Sequence, residues 1–406
     1  MLARSLGPAQ LIAAGTGCMV GGGIFLTTST LARQYGAPSL LAGYLVAALG
    51  CALTALCYAE FAALEPGAGS AYQYALAALG RFPAWLIGCA LFLEYSFGSA
   101  AVAVLWTGSP GYAAVAALLA TVLLLLGIRI SSGVNTALVL LKCGTLVLFI
   151  GWIGFWAARA PAVAAIAGPA ADWRTVAGLA IFSYLGFESV STLGLESRNP
   201  QRDLPIGVIG SLAITTALYL AVIVAYTLVP APLGDGLLGA ALATGAGSLG
   251  QLIHLCVYAG LSTVLLIMMM GQSRIFYAMA LDGLLPPRLL RTQPKTQAPV
   301  AAIAATGAVV AALCLLVPAQ TLYDMAVAGT LIAFTAVAVA VPVLRRRAPD
   351  RPRPFRVPFV WVTAPAAVVV NLVLMSKLIP GIAVAMGICA AAACFGWLFV
   401  RKGFTV

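Results

Sequence analysis

Charge is what this sequence has least of. Only 8% of its 406 residues are Asp, Glu, Lys or Arg, where soluble domains carry about 25%. Acidic residues are the scarcer kind, 11 against 22 basic ones, and His254 is the single histidine. So little polar surface cannot coat a particle of this size in water, which excludes a soluble enzyme and a disordered chain. One histidine and dispersed acids supply neither a paired-Asp centre nor a His-Glu metal motif. No metal, cofactor or intramembrane enzyme is therefore expected. The nine cysteines include no Cys-x-x-Cys pair and read as small buried hydrophobes, not as a disulfide or metal framework. No filter-like loop recurs to mark a symmetric channel.

What the chain has instead is apolar length. Hydrophobic residues make up 62%, and the mean hydropathy is +1.05. A spanning helix needs about 20 mostly apolar residues. Twelve such stretches are present: Pro8–Leu31, Leu40–Ala63, Pro83–Trp106, Tyr112–Ile128, Val134–Trp156, Trp173–Leu195, Ile206–Leu228, Leu249–Met269, Pro299–Val317, Tyr323–Val343, Phe359–Leu378 and Ile382–Val400. With both termini in the cytoplasm, 17 Lys and Arg fall inside and 4 outside, with Lys142 mid-span. That split obeys the positive-inside rule. The net charge of +11 is thus spread over short connectors, and no nucleic-acid partner is expected. Arg4 and the run after it look like the start of a cleaved signal. However, Gly15 stands where a lipoprotein site wants Leu, and the apolar run continues through Ile24 and Phe25, so this segment is expected to remain as the first span.

Two spans carry signs of interruption. The first holds Gly21, Gly22 and Gly23 in succession near the expected bilayer midplane, and each helical Gly costs about 1 kcal/mol relative to Ala. The sixth has Gly186 beside Glu188 in Phe182-Ser183-Tyr184-Leu185-Gly186-Phe187-Glu188. Small residues in membrane helices can simply allow close packing. Two breaks five spans apart instead point to the substrate site of an inverted-repeat transporter. A half-helix starting at Gly22 would turn its N–H groups and positive dipole end toward a carboxylate. The carbonyls ending the preceding half would suit an ammonium, so the pair should bind a zwitterion.

Glu60, Glu94, Lys142 and Glu188 lie within spans, where a charge costs at least ~2.5–3.5 kcal/mol. Lys142 is too deep in the fifth span to snorkel easily. It reads either as a group that releases and regains a proton during a transport cycle or as a fixed cation bonded to first-span carbonyls. Glu94 and Glu188 fit a proton acceptor, a partner for a substrate ammonium, or a satisfied structural acid. Glu60, nearer the cytoplasmic end, reads as structural, and His254 as a hydrogen-bonded packing residue. Ser262 and Thr263 could ligate sodium, but hydroxyls bonded to their own helix are commoner.

Together these residues resemble a known family. Gly17-Cys18-Met19-Val20-Gly21-Gly22-Gly23-Ile24-Phe25 is similar to the Gly-x-Met-x-Gly-x-Gly-Ile-Phe signature of the amino acid–polyamine–organocation (APC) superfamily. Cys57-Tyr58-Ala59-Glu60-Phe61 with Pro66–Tyr72, Leu93-Glu94-Tyr95, Phe182–Glu188 continuing to Glu196–Arg202, and Gly271–Met279 through Asp282–Pro286 look like its cationic amino acid transporter branch. The likeness runs in order from about residue 8 to 300; the last spans match only in hydropathy. Gly22 stands where the family often has Ala or Ser, and long loops are absent.

The resemblance implies an all-α membrane protein of the LeuT type, with a five-plus-five inverted repeat, broken helices 1 and 6, and two further C-terminal helices. Its parts would be residues 1–160, 161–345 and 346–406. It also implies secondary amino acid transport in a cytoplasmic membrane, with a small amino acid and the lipid bilayer as partners and a monomer compatible. The substrate site would comprise Met19, Val20, Gly21, Gly22, Gly23, Phe182, Ser183 and Leu185. Within it, N–H groups of Gly22 and Gly23 would hold the carboxylate. Carbonyls of Met19, Phe182 and Leu185 would hold the ammonium, and Phe182 would cover the site. Lys142 matches the lysine that replaces a sodium ion in proton-coupled relatives, so the proton is the expected coupling ion. A cationic amino acid or polyamine exchanger, using Glu94 or Glu188, is the alternative.

Overall fold

The computed structural model describes residues 6–67, 69–127, 132–159, 173–229, 236–293 and 298–376, with positions 383, 387 and 391. Among these residues the elements are helical, apart from isolated bridges joining Leu6 to Ser197 and Thr292 to Pro299. α1 (Pro8–Met19), a π-helical turn (Gly23–Thr27) and α2 (Thr28–Tyr35) fill the first expected span. After them come α3 (Ala37–Leu64), α4 (Ser70–Leu79) and α5 (Arg81–Phe92), which passes through a second π turn (Leu93–Phe97) into α6 (Gly98–Thr107). α7 (Pro110–Leu125), α8 (Ser132–Ala157) and α9 (Trp173–Tyr184) follow, the last continued by a 3-10 turn (Glu188–Leu193). The chain goes on through α10 (Pro200–Thr227), α11 (Gly236–Ala243), α12 (Gly247–Leu281), α13 (Val300–Leu316), α14 (Ala319–Arg347) and α15 (Val360–Met375).

Helix occupies each of the first eleven expected segments; Ile382–Val400 lies outside the described residues but for three helical positions. Among the described residues seven helical stretches are long and apolar enough to cross a bilayer, and α7, α13 and α15 are shorter apolar helices. Two differences have simple causes. α12 continues to Leu281 instead of stopping at Met269, because Gln272, Ser273 and Arg274 are polar yet good enough helix formers to extend a packed rod. α4 and α11 are extra short helices in connectors that hydropathy alone reads as loops. Helix boundaries follow local chemistry: Pro110 and Pro200 open α7 and α10, and Gly108 (φ 67°) ends α6 in the left-handed region.

The surface is turned outward in the apolar sense. Leu118, Leu119 and Val122 of α7 and Leu140, Val147 and Leu148 of α8 are exposed aliphatics, which suits a hydrocarbon surround. The interior is also apolar, rich in alanine, and holds buried tyrosines, serines and threonines among the aliphatics. With lipid outside, helices gain little by burying more Leu and associate through close approach of small residues. Gly329 of α14 lets that helix rest on the backbone of α5: a Cβ there would stand 2.5 Å from the Ala90 carbonyl oxygen.

One end of the bundle is held by charge. Glu60, near the end of α3, accepts from Arg345 Nε (2.9 Å) and from the Val357 N–H (2.7 Å), with Arg353 Nε 3.5 Å away. It is thus a structural acid that ties the α14–α15 connector to α3. Arg351 pairs with Glu65, Arg274 with Glu196, and the Tyr72 hydroxyl donates to Asp282.

Gly329→Ala should lower the stability of the detergent-purified protein by about 1–3 kcal/mol, because backbone on the far side cannot yield. Gly151→Ala, with nothing within 4 Å of the added methyl, should match the parent or gain up to about 1 kcal/mol from better helix propensity. Thermal unfolding of the two variants side by side checks this.

Candidate functional site

The first helix breaks one step before the glycine run. α1 ends at Met19, Val20 is extended (φ −72°, ψ 92°), and Gly22 has returned to the right-handed helical region. The glycines therefore begin the second half-helix, and their smallness serves packing as well as unwinding. A Cβ on Gly22 would lie 3.1 Å from Leu261 Cδ2, and one on Gly23 only 2.7 Å from Ser183 Cα. α9 breaks at Leu185-Gly186-Phe187, between Tyr184 and the 3-10 turn. Gly186 has φ 131°, where an L side chain is strained, and its Cα face meets the Met19 nitrogen, 2.9 Å from an ideal Cβ. The two discontinuities thus press directly against each other.

Broken helices leave main-chain groups without helical partners, and in an apolar interior these need others. The Tyr219 hydroxyl of α10 supplies one shared donor, 2.6 Å from the Met19 carbonyl oxygen and 3.0 Å from that of Ser183. Each carbonyl keeps a second lone pair for another donor. The Ser183 hydroxyl is 3.0 Å from the Tyr44 hydroxyl. The Gly186 N–H donates to Glu188 Oε2 at 2.9 Å, so this carboxylate caps the second break from two residues away. Phe182 stacks on Tyr323 with ring centroids 4.4 Å apart, and the Leu185 N–H returns to the Phe182 carbonyl at 3.4 Å. Met19, Val20, Gly21, Gly22, Gly23, Phe182, Ser183 and Leu185 therefore lie along two adjoining breaks, all buried.

Lys142 sits on the far side of α1. Its ammonium donates to the Gly17 carbonyl (2.9 Å), the Gly260 carbonyl (3.4 Å) and Thr263 Oγ1 (3.3 Å), bridging α8, α1 and α12. These hydrogen-bond partners are all neutral oxygens. Gly260 is small for this reason, since a Cβ would stand 2.9 Å from Lys142 Cε. Thr263 and Ser262 both donate to their own helix, to Gly260 and Ala259. His254 differs from expectation: it is exposed on α12, with its ring against Tyr258.

Glu94 lies in the π turn Leu93–Phe97, one residue before Tyr95. It is buried, and its nearest polar neighbours are the Glu188 carboxyl and the Thr330 hydroxyl. Close to this pair of carboxyls, the hydroxyls of Tyr58 and Tyr95 have no hydrogen-bond partner among the described residues. Unsatisfied buried polar atoms are rare enough to need a reason, and here they gather beside the second break. The π turn supplies the local one: such turns re-aim side chains at functional sites.

Tyr219 and Tyr44 escape a reading of the sequence, because their partners are main-chain and side-chain oxygens far along the chain. The available signal is weak but physical: a tyrosine in the middle of an apolar run must find a partner for its hydroxyl when buried.

Comparisons with known proteins identify the family. A family model described as amino acid permease matches residues 6–399. The chain is 35% identical to a methylthioribose transporter of Bacillus subtilis (strain 168), over 89% of this chain and 85% of that protein. It is equally identical to the branched-chain amino acid permease BcaP of the same organism, over 93% and 88%. The vacuolar cationic amino acid transporter 4 of Arabidopsis thaliana is 35% identical over 86% of this chain, which spans 64% of that longer protein. This chain belongs to the amino acid permease family.

Tyr219→Phe removes a donor shared by the two breaks and leaves buried carbonyls short of a partner. The cost should be about 1–3 kcal/mol in thermal unfolding. Ser262→Ala, which removes a bond within one helix turn, should change stability by no more than about 0.5 kcal/mol.

Proposed function

We propose, with that membership as the premise, that the protein is a proton-coupled secondary transporter of amino acids working by alternating access. The observation that carries the reading is the contact between two helix breaks, bridged by Tyr219, beside a buried lysine bonded to the α1 carbonyl of Gly17. The half-helix beginning at Gly22 offers its N-terminal end to the substrate carboxylate. The carbonyls of Met19, Phe182 and Leu185 face the ammonium, and Phe182 serves as the cover. Twelve spans, with residues 1–160 and 161–345 as inverted repeats and 346–406 appended, place the breaks at equivalent points of the two halves. The arginine-rich end, with both termini, faces the cytoplasm by the positive-inside rule.

Coupling follows from the position of Lys142. Its ammonium ties α1 to α12 while charged; the neutral amine donates less strongly and frees α1 to rock. Proton arrival and departure then time the movement of the first break. Relatives named as permeases and transporters support transport over catalysis.

A second reading has its own observation. Glu94 and Glu188 are two buried carboxyls side by side at the second break, an arrangement that a cationic substrate group would suit. An exchanger of cationic amino acids or polyamines would use it.

Uptake of labelled amino acids into proteoliposomes should rise under an inward proton gradient. Lys142→Met should abolish the gradient-driven accumulation while sparing exchange; full accumulation in that variant removes the proton role. Competition by arginine or putrescine against a neutral amino acid decides the second reading, and Glu94→Gln should weaken competition by the cations alone if it holds.

A further inference from the structure

The arginines outside the spans differ in how they are matched. Arg345, Arg351 and Arg274 are matched by acids, and Arg347 donates to the Ala78 carbonyl. Arg202, in the first turn of α10, is exposed, and its guanidinium has no hydrogen bond or ion pair among the described residues. It stands on the rim of a groove of about 630 Å³, whose lining is mainly apolar. Ile206 and Ile209 of α10 form one side, and Pro354 and Phe355 of the α14–α15 connector form the other.

The connector side of this groove is held in place. Arg353 donates to the carbonyls of Pro349, Arg351 and Ala348, and the Val357 N–H is bound by Glu60. Pro354 and Phe355 lie between these two fixed points, so the groove is preformed. Its α10 side continues into apolar surface, since Ile206 and Ile214 are exposed on the same helix. The connector also sets the depth. Phe359 and Trp361 are exposed just beyond it, with Arg346 stacked over the Trp361 ring at 4.8 Å. Exposed aromatics with basic neighbours belong at the level of lipid headgroups.

The occupant must therefore be anionic at one end, apolar along its length, and supplied from within the membrane. We propose that the groove binds an anionic phospholipid, with its phosphate against Arg202 and an acyl chain along Ile206 and Ile209. This uses the membrane reading of the chain but not the coupling mechanism. One arginine near a charged bilayer surface is worth about 1 kcal/mol, or about five-fold in affinity.

The test is native mass spectrometry of the full-length purified protein, with phosphatidylglycerol or phosphatidylcholine added in separate titrations. Phosphatidylglycerol should be retained in preference. Arg202→Gln should weaken its retention about five-fold, with unchanged unfolding in lipid-free detergent because the guanidinium bonds nothing in the fold. Ile209→Trp, which fills the groove, should abolish retention. Equal retention of the two lipids, or parent-like retention of phosphatidylglycerol in both variants, overturns the proposal. So does displacement of the lipid by inorganic phosphate alone, which identifies a soluble-anion site. Failure of proton-driven uptake leaves this readout unaffected, so the two ideas fall separately.

Discussion

A peptide carbonyl stripped of its helical partner cannot be left in an apolar interior, and the centre of this molecule is arranged around that requirement. Met19 and Ser183 end or lie beside interrupted helices, and one tyrosine hydroxyl reaches both of their oxygens. The contact is possible only because α1, α9 and α10 converge. That convergence in turn demands the absence of side chains at Gly23 and Gly186, where neighbouring backbone would otherwise collide. Glycine at these points therefore does two things at once: it loosens the helix and lets the loosened segments meet.

Much of the architecture is legible in the amino-acid order, because hydropathy acts over twenty residues at a time. The apolar runs correspond to helices wherever residues are described, and the two interruptions fall in the expected spans. Their register was less accessible. A glycine run invites unwinding at Gly21–Gly23, yet the extended residue is Val20, since the glycines are needed as contact surfaces for Leu261 and Ser183. Glu94 was visible as a costly charge, but the π turn that aims it depends on α14 packing at Gly329 and leaves no mark in composition. Tyr219 belongs to the same class. Its role exists only after α10 has docked, so no local pattern carries it.

Charge is used economically. At the arginine-rich end, Glu60 alone takes hydrogen bonds from Arg345 and the Val357 amide, with Arg353 close by. The connector from α14 to α15 is thereby made part of the end of α3. Deeper in, Lys142 has neutral oxygens for company. The acids of the first region are paired with arginines, whereas Glu94 has another carboxyl, Glu188, beside it near the second break.

α12 joins these regions in one uninterrupted rod. Gly260 and Thr263 hold the Lys142 ammonium, and Arg274 farther along the same helix grips Glu196. Thr263 and Arg274 are about 16 Å apart along the axis. A stiff helix gripped at both places behaves as a push-rod: a shift at the ammonium cannot be absorbed between them and is carried to the guanidinium.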